Sequence, residues 1–219
     1  MALCRPTALT MGTTLCESGA RARYVYFPTA GYVSLIAMSA GTGGVEVGMV
    51  GAEGMLGPQL ACGIATSPMK AVVQGPGTAL RVHAGAFNKE LATTPALQLI
   101  VTRYLSVLMA QMANSASCMR FHFVGPRLAR SLLMSQDKTN SDSFQMTQEM
   151  MGFVLGVRRV GVSVAAGELQ RDGLIEYSRG HLKVLDRGGL ERAACSCYAM
   201  DQAAYSRLLS TVRPGTIGR

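Results

Sequence analysis

The chain has 219 residues, 48% of them hydrophobic, which is enough to bury one large core or two small ones. Its formal charge of +8, from 21 basic and 13 acidic residues, weakly favours a nucleic-acid partner. Six scattered cysteines exclude a disulfide-rich secreted domain, and the N-terminus lacks the apolar run of a signal peptide.

Short strand-like runs dominate residues 20–85. Runs begin at Tyr24, Tyr32, Val45, Ala71 and Ala79, and glycine-containing segments such as 28–31 and 75–77 separate them as predicted turns. In the middle run, Val45, Val47 and Met49 alternate with Glu46 and Gly48, as in a strand with one buried face. Several short strands at regular spacing predict a β-barrel or sandwich.

A long helix is predicted from Ala96 to about Met119, because the segment contains neither glycine nor proline. A seam follows a 3-4 spacing through Leu97, Val101, Tyr104, Leu108, Gln111, Ser115 and Cys118. Such a seam suits pairing of two subunits, and we predict a homodimer through residues 96–119. The alternative is that the helix caps its own barrel. Arg103 and two glutamines make residues 96–113 a poor membrane span, so we expect a cytoplasmic protein without membrane contact.

Residues 144–183 have the pattern of a winged helix-turn-helix. Thr147 suits an N-cap and Gly156 suits a tight turn between two helices. Arg158 and Arg159 begin the second helix, and a β-hairpin follows it. The expected buried face of the second helix is Val162, Ala165, Ala166 and Leu169. The pattern favours DNA binding over a plain helix pair.

Four further motifs are specific when taken together. They are Arg127-Leu-Ala-Arg-Ser-Leu-Leu, Thr147-Gln-Glu, Leu155-Gly-Val-Arg-Arg-Val-Gly-Val and Leu169-Gln-Arg-Asp-Gly-Leu-Ile, and Val50-Gly-Ala-Glu-Gly-Met-Leu-Gly in the β-rich part accompanies them. With the order of elements, they make the chain resemble the Crp/Fnr superfamily of bacterial transcription regulators. The resemblance implies an α+β fold: an N-terminal double-stranded β-helix (a jelly-roll-like β-roll) over residues 1–95, a dimerisation helix over 96–119, a winged helix-turn-helix over 120–190, and a C-terminal helical tail over 191–219.

The resemblance also implies partners and contact residues. The partners are double-stranded DNA with a two-fold operator, a second copy of the chain, and RNA polymerase. Arg158, Arg159 and Ser163 fall on the recognition surface, with Arg159 at the base-contacting position. Val160 and Val164 stand where members that bind the best-known operator carry polar side chains. We therefore expect an operator that differs from that consensus, with a valine in contact with a thymine methyl. Backbone contacts from the first helix and the wing are expected at Thr147, Gln148, Ser178, Arg179 and His181.

The cyclic-nucleotide chemistry of the family is not expected here. Members that bind cyclic AMP carry a ribose-binding glutamate after a glycine turn and an Arg-Ser pair for the phosphate. Here Pro58 follows Gly57, and the nearest cation in the later segment is Lys70. The candidate residues of an effector pocket are therefore Glu53, Met55, Gly57 and Lys70, and the effector itself is not identified.

Other chemistries find little support in the sequence. Cys4 and Cys16 are too far apart for an N-terminal iron–sulfur motif, and Cys195-Ser-Cys197 offers two ligands where zinc takes four. We therefore predict no metal site and no cofactor. Motifs for phosphate loops, zinc proteases and serine hydrolases are missing, so an enzyme is not expected. Two alternatives stay open: a regulator that responds to redox state or metal through its cysteines, and a dimeric interaction protein without DNA binding.

Overall fold

The N-terminal half is an antiparallel β-domain. A computed structural model describes residues 3–40 and 43–209 of the chain. The strands are β1 (Arg5–Leu9), β2 (Thr14–Cys16), β3 (Tyr24–Ser39), β4 (Gly43–Val50) and β5 (Lys70–His83), and a 3-10 helix spans Pro58–Cys62. Their order is β1-β5-β3-β4, with β2 also beside β5. The sheet thus has the antiparallel character that the short strand-like runs predict.

Glycines that the sequence assigned to turns lie instead within two long strands. β3 and β5 pair along nearly their whole length, with register shifts between Pro28 and Val33. A Cβ on Gly77 would overlap the Ala30 carbonyl oxygen, so the two backbones approach too closely there for any side chain. The prediction of separate strands was wrong at these two places, because a β-bulge needs the same residue type as a turn.

The helical part begins with α1 (Ala84–Thr93) and α2 (Pro95–Phe121). By length and composition α2 could cross a membrane, and the bent pair of helices over residues 148–171 passes the same test if taken as one span. α2 nevertheless packs on its own chain: Val101, Tyr104 and Leu108 are buried in the core of the β-domain. The predicted seam therefore does not face a second subunit, and α2 caps its own sheet through it.

The C-terminal half is a winged helix-turn-helix with flanking helices. Its elements are α3 (Val124–Thr139), β6 (Ser143–Gln145), α4 (Gln148–Leu155), α5 (Arg159–Arg171), β7 (Ile175–Ser178), β8 (His181–Val184), α6 (Arg187–Ala193) and α7 (Cys197–Leu209). The break after α2 falls at residues 122–123 rather than at Gly125-Pro126, which lies in the first turn of α3. Within the predicted tail, residues 210–219 lie outside the described part of the chain.

The two halves share buried contacts. Tyr32 of β3 and Met49 of β4 belong to the core of the winged domain, where they pack among residues of α3 and α5. The Tyr32 hydroxyl lies 3.2 Å from the Ser135 hydroxyl of α3, and the two form a buried hydrogen bond. One end of the β-domain is therefore in direct contact with the helices that support the helix-turn-helix.

Candidate DNA-binding surface and sensor cavity

The turn between α4 and α5 has the predicted local structure. The Thr147 hydroxyl accepts a hydrogen bond from the Met150 N–H at 3.2 Å, which satisfies one open donor of the first turn of α4. Gly156 ends α4 with φ 62°, a left-handed conformation that glycine adopts without strain. The axes of α4 and α5 then differ by 107°. Both local predictions are confirmed, and they set the angle at which α5 leaves the domain.

The N-terminal end of α5 is exposed and its side chains are linked to α4. Arg158 and Arg159 are both exposed, while the four predicted core residues of α5 are buried. The Arg159 Nε donates to the Gln148 Oε1 at 3.0 Å, and the Ser163 hydroxyl donates to the same oxygen at 3.1 Å. Gln148 therefore orients Arg159, a role that the sequence could not reveal because the two residues lie on different helices.

Two apolar side chains stand on the exposed face of the same helix. Val160 is 75% exposed and Val164 is 57% exposed. These are the positions at which the sequence departs from the polar readers of the resembling family. A valine offers only apolar contact, so these two side chains can touch a methyl group but cannot hydrogen-bond a base edge.

The wing, the hairpin of β7 and β8, completes the surface. The residues predicted to contact the DNA backbone are divided between two clefts beside it. The turn from β7 to β8 has positive φ at Arg179 and Gly180, as a two-residue hairpin turn requires. Thr147, Gln148, Arg159 and Arg179 line one cleft between α4, α5 and the wing. The remaining wing residues, Ser178 and His181, line a separate cleft along the sheet of β6, β8 and β7.

A second concave site lies between the β-sheet and α2. This cavity of about 120 Å³ is lined by apolar side chains of both elements, among them Leu35, Met55, Leu108 and Met112. Its polar lining comes from residues such as Tyr24, Tyr26, Gln59 and Ser67, and within residues 3–40 and 43–209 no lining residue carries a formal charge. The cavity therefore suits a small apolar molecule better than an anion.

Comparison with known proteins agrees with this arrangement. Residues 126–193 match the family model of the Crp-like helix-turn-helix domain. FixK2 from Bradyrhizobium japonicum has a similar structure, with TM-score 0.73 at 13% identity over 88% of this chain and 98% of that chain. The regulator CLP from Xanthomonas campestris, described as c-di-GMP responsive, gives 0.67 at 17% identity over 84% and 95%. A CRP-family regulator from Thermus thermophilus gives 0.67 at 21% identity over 87% and 96%.

No curated protein sequence gives a significant match. The helix-turn-helix match and the shared fold nevertheless agree with the sequence motifs. Residues 126–193 are therefore a Crp-like helix-turn-helix domain, and the chain shares its fold with solved regulators of the Crp/Fnr family. The shared architecture is mixed α and β, with an N-terminal antiparallel sheet, long helices and a C-terminal helix-turn-helix.

The four residues predicted to form an effector pocket do not lie in one site. Met55 and Gly57 line the apolar cavity, whereas Glu53 and Lys70 do not. Glu53 forms an ion pair with Lys138 of α3 and accepts a hydrogen bond from the Tyr205 hydroxyl of α7 at 3.3 Å. Lys70 forms an ion pair with Glu17 at 3.1 Å. Both partners of Glu53 are remote in sequence, so its role in joining the β-domain to α3 and α7 could not be predicted.

A second acidic residue, Glu46 of β4, lies at the contact between the two halves. It accepts a hydrogen bond from the Ser34 hydroxyl and lines a small cavity with Arg127 and Arg130 of α3. Burial raises the pKa of Glu46 to about 7, against the lowering effects of Ser34 and Arg130. The alternating pattern of β4 suggested a solvent-facing glutamate, but α3 covers that face of the strand.

Proposed function

We propose that the chain is a sequence-specific DNA-binding transcription regulator that acts as a homodimer on a two-fold operator and does not respond to cyclic AMP. The observation that carries the proposal is the exposed Arg159, held by Gln148 at the N-terminal end of α5. In helix-turn-helix proteins this end of the second helix enters the major groove, where a guanidinium pairs with guanine. The resemblance to Crp/Fnr regulators is what supports the further proposal of a cytoplasmic location and of RNA polymerase as a partner.

The predicted contact residues have separate roles in this proposal. Arg159 reads a base, Val160 contacts a thymine methyl, and Ser163 lies one turn further along the same face. Arg158 binds phosphate, because it precedes the first turn of α5 and is exposed. Contacts to the DNA sugar-phosphate backbone come from Thr147, Gln148, Ser178, Arg179 and His181. Such contacts position the protein without reading the sequence.

The second copy binds through apolar side chains of α2 that lie outside the buried seam. Leu99 is 49% exposed, Ile100 is 41% exposed and Met109, at the edge of the apolar cavity, is 70% exposed. A two-fold operator is read by two recognition helices about one helical turn of DNA apart, which requires a symmetric pair. We therefore retain residues 96–119 as the dimer element, with other side chains than the seam that the sequence predicted.

Cyclic AMP is a poor ligand for the sensor cavity. A cyclic phosphate in a barrel needs a paired cation and hydrogen-bond donors, and the described lining of this cavity has no charged residue. Lys70, the cation that the sequence offered, is engaged with Glu17. We expect no change in thermal unfolding on addition of cyclic AMP, whereas a clear rise in the unfolding temperature would contradict this part of the proposal.

The DNA proposal is tested by selecting bound sequences from a random DNA pool with the full chain. Against the selected operator, Arg159→Ala is expected to lose about 1–3 kcal/mol and to relax the preference at one base pair. Arg158→Ala is expected to weaken binding to all sequences and to lower the salt slope by about one. Arg5→Ala, on exposed β1, is the matched control and should bind as the wild type does. Failure to enrich any sequence would favour an interaction protein without DNA binding.

The dimer is tested separately by sedimentation. Met109→Glu places a charge on the proposed interface and is expected to yield monomers, because an unpaired charge is costly to bury there. Ile64→Glu alters a side chain that is 50% exposed on the β-domain and should leave the dimer intact. A wild type that sediments as a monomer would contradict the proposed assembly.

A further inference from the structure

Four side chains with metal-binding atoms meet at the junction of α2, α3 and α7. Cys118 lies in the last turns of α2, and His122 follows it at the end of the same helix. Cys195 lies just before α7, and Cys197 is the first residue of that helix. Their four ligand atoms all lie within 4.8 Å of one another, and the three cysteines are buried. Remote parts of the chain thus bring three thiols and one imidazole to one point.

The spacing of these atoms approaches that of a tetrahedral site. The Cys118 and Cys195 sulfurs are 3.5 Å apart, and the Cys197 sulfur is 3.5 Å from the His122 Nδ1. Bonds of about 2.3 Å to sulfur and about 2.0 Å to nitrogen give tetrahedral edges of roughly 3.5–3.8 Å. Two opposite edges therefore already have suitable lengths, and the remaining pairs need to close by at most about 1.3 Å.

Side chains next to the four ligands hold the segment around Cys197 in place and supply a positive charge. Asn114 of α2 donates to the Cys197 carbonyl at 2.8 Å and to the Asp201 carboxylate at 2.8 Å. Arg130 of α3 pairs with Asp201 at 2.6 Å and interacts electrostatically with Cys118 and Cys195. Three thiolates with a divalent ion leave a net charge of −1, which the nearby guanidinium partly offsets. Outer contacts of this kind orient ligands in metal sites.

We propose that Cys118, His122, Cys195 and Cys197 bind one Zn²⁺ in a tetrahedral Cys₃His site. This donor set is common among structural zinc sites. The thiols lose their protons to solvent as the ion binds, and no redox step is involved. The site joins the start of α7 to the end of α2, next to residues 122–123 that link α2 to α3. Zinc therefore stabilises the junction from which the winged domain extends.

The sequence alone did not predict this site, because Cys195-Ser-Cys197 supplies only half of the ligands. The other half has a recognisable signal: Cys118 and His122 are four residues apart and therefore share one face of α2. Nothing in the sequence indicates that the two pairs meet, since 73 residues separate His122 from Cys195. The contact between α2 and α7 brings them together.

The test uses the full chain, fully reduced and kept free of oxygen, with Co²⁺ as a spectroscopic probe. We expect one Co²⁺ per chain, with thiolate-to-metal charge-transfer absorption and the intense ligand-field bands of tetrahedral cobalt. Zn²⁺ added afterwards should displace the cobalt and remove these bands. The absence of tetrahedral bands in the reduced wild type would overturn the proposal, as would a Cys118–Cys195 disulfide in protein prepared without oxygen.

Variants assign the ligands. Cys195→Ser and Cys197→Ser should each lose stoichiometric Co²⁺ binding, whereas Cys62→Ser, at an exposed cysteine outside the cluster, should bind as the wild type does. His122→Cys should retain a tetrahedral site with stronger charge-transfer absorption, because a fourth thiolate replaces the imidazole. If a serine variant does not fold, the wild-type titration and His122→Cys still decide the question. Unchanged Co²⁺ spectra in both serine variants would refute the assignment.

Discussion

The partly buried carboxyl of Glu46 makes the free energy of unfolding depend on pH, and a single substitution can isolate this dependence. Glu46 of β4 lies against α3, where it accepts a hydrogen bond from Ser34 and shares a cavity with Arg127, Arg130 and Cys118. Its pKa is raised from 4.5 to about 7, chiefly by burial. Glu46→Gln keeps the size of the side chain and removes its charge.

The raised pKa of Glu46 decides whether a higher pH stabilises or destabilises the folded protein. Since the pKa of Glu46 is higher in the folded than in the unfolded protein, the folded state binds the proton more tightly. The stabilisation is present below the unfolded pKa and is lost as the pH rises through about 7. The rise in pKa corresponds to about 3 kcal/mol once the carboxyl is ionised. Relative to Glu46→Gln, the wild type should lose roughly 2.5 kcal/mol between about pH 5 and about pH 8.

Urea unfolding followed by far-ultraviolet circular dichroism measures this difference, since the chain has no tryptophan for fluorescence. Both proteins are unfolded at several pH values with their thiols reduced. Glu90→Gln, at an exposed position of α1, is the control and should follow the wild type at every pH. A difference in the free energy of unfolding between wild type and Glu46→Gln that stays constant with pH would refute the reasoning. It would mean that Arg127 and Arg130 keep Glu46 ionised.

Three further substitutions test the local structure, each by thermal or urea unfolding. Thr147→Ala removes the cap of α4 and should lower the free energy of unfolding by about 1 kcal/mol; an unchanged value would contradict its capping role. Gly77→Ala places a Cβ against the Ala30 carbonyl oxygen and should destabilise the β-domain severely, whereas a folded, equally stable variant would exclude the close approach. The Cβ added by Gly167→Ala in α5 has no neighbouring atom within 4 Å, so this variant should gain up to about 1 kcal/mol in the free energy of unfolding. A lower free energy of unfolding would indicate crowding at this position.

Predictability from sequence was highest where the determining interactions are local. Thr147 caps α4 with a bond that spans three residues, and Gly156 ends it through its own backbone freedom. The buried face of α5 follows from helical periodicity alone. These features need no knowledge of the rest of the fold, so the residue pattern alone locates the helix-turn-helix and its exposed arginines.

Prediction failed where one residue pattern fits two environments. Gly31 and Gly77 suit a turn or a bulge equally well, and only the pairing of β3 with β5 selects the bulge. The seam of α2 suits a partner helix or the chain's own sheet, and burial of Tyr104 and Leu108 in the β-domain selects the sheet. In both cases the deciding contact joins segments that are remote in sequence.

The sequence by itself located the helix-turn-helix, because the capped helix pair and the motifs that resemble the Crp/Fnr superfamily depend on neighbouring residues. The tertiary structure decided which side chains meet. It removed Glu53 and Lys70 from the apolar cavity by giving them other partners, and it placed Glu46 against α3. It also brought Cys118 and His122 to the Cys195-Ser-Cys197 segment. Such meetings depend on how helices and sheet pack, and the spacing of residues along the chain does not specify them.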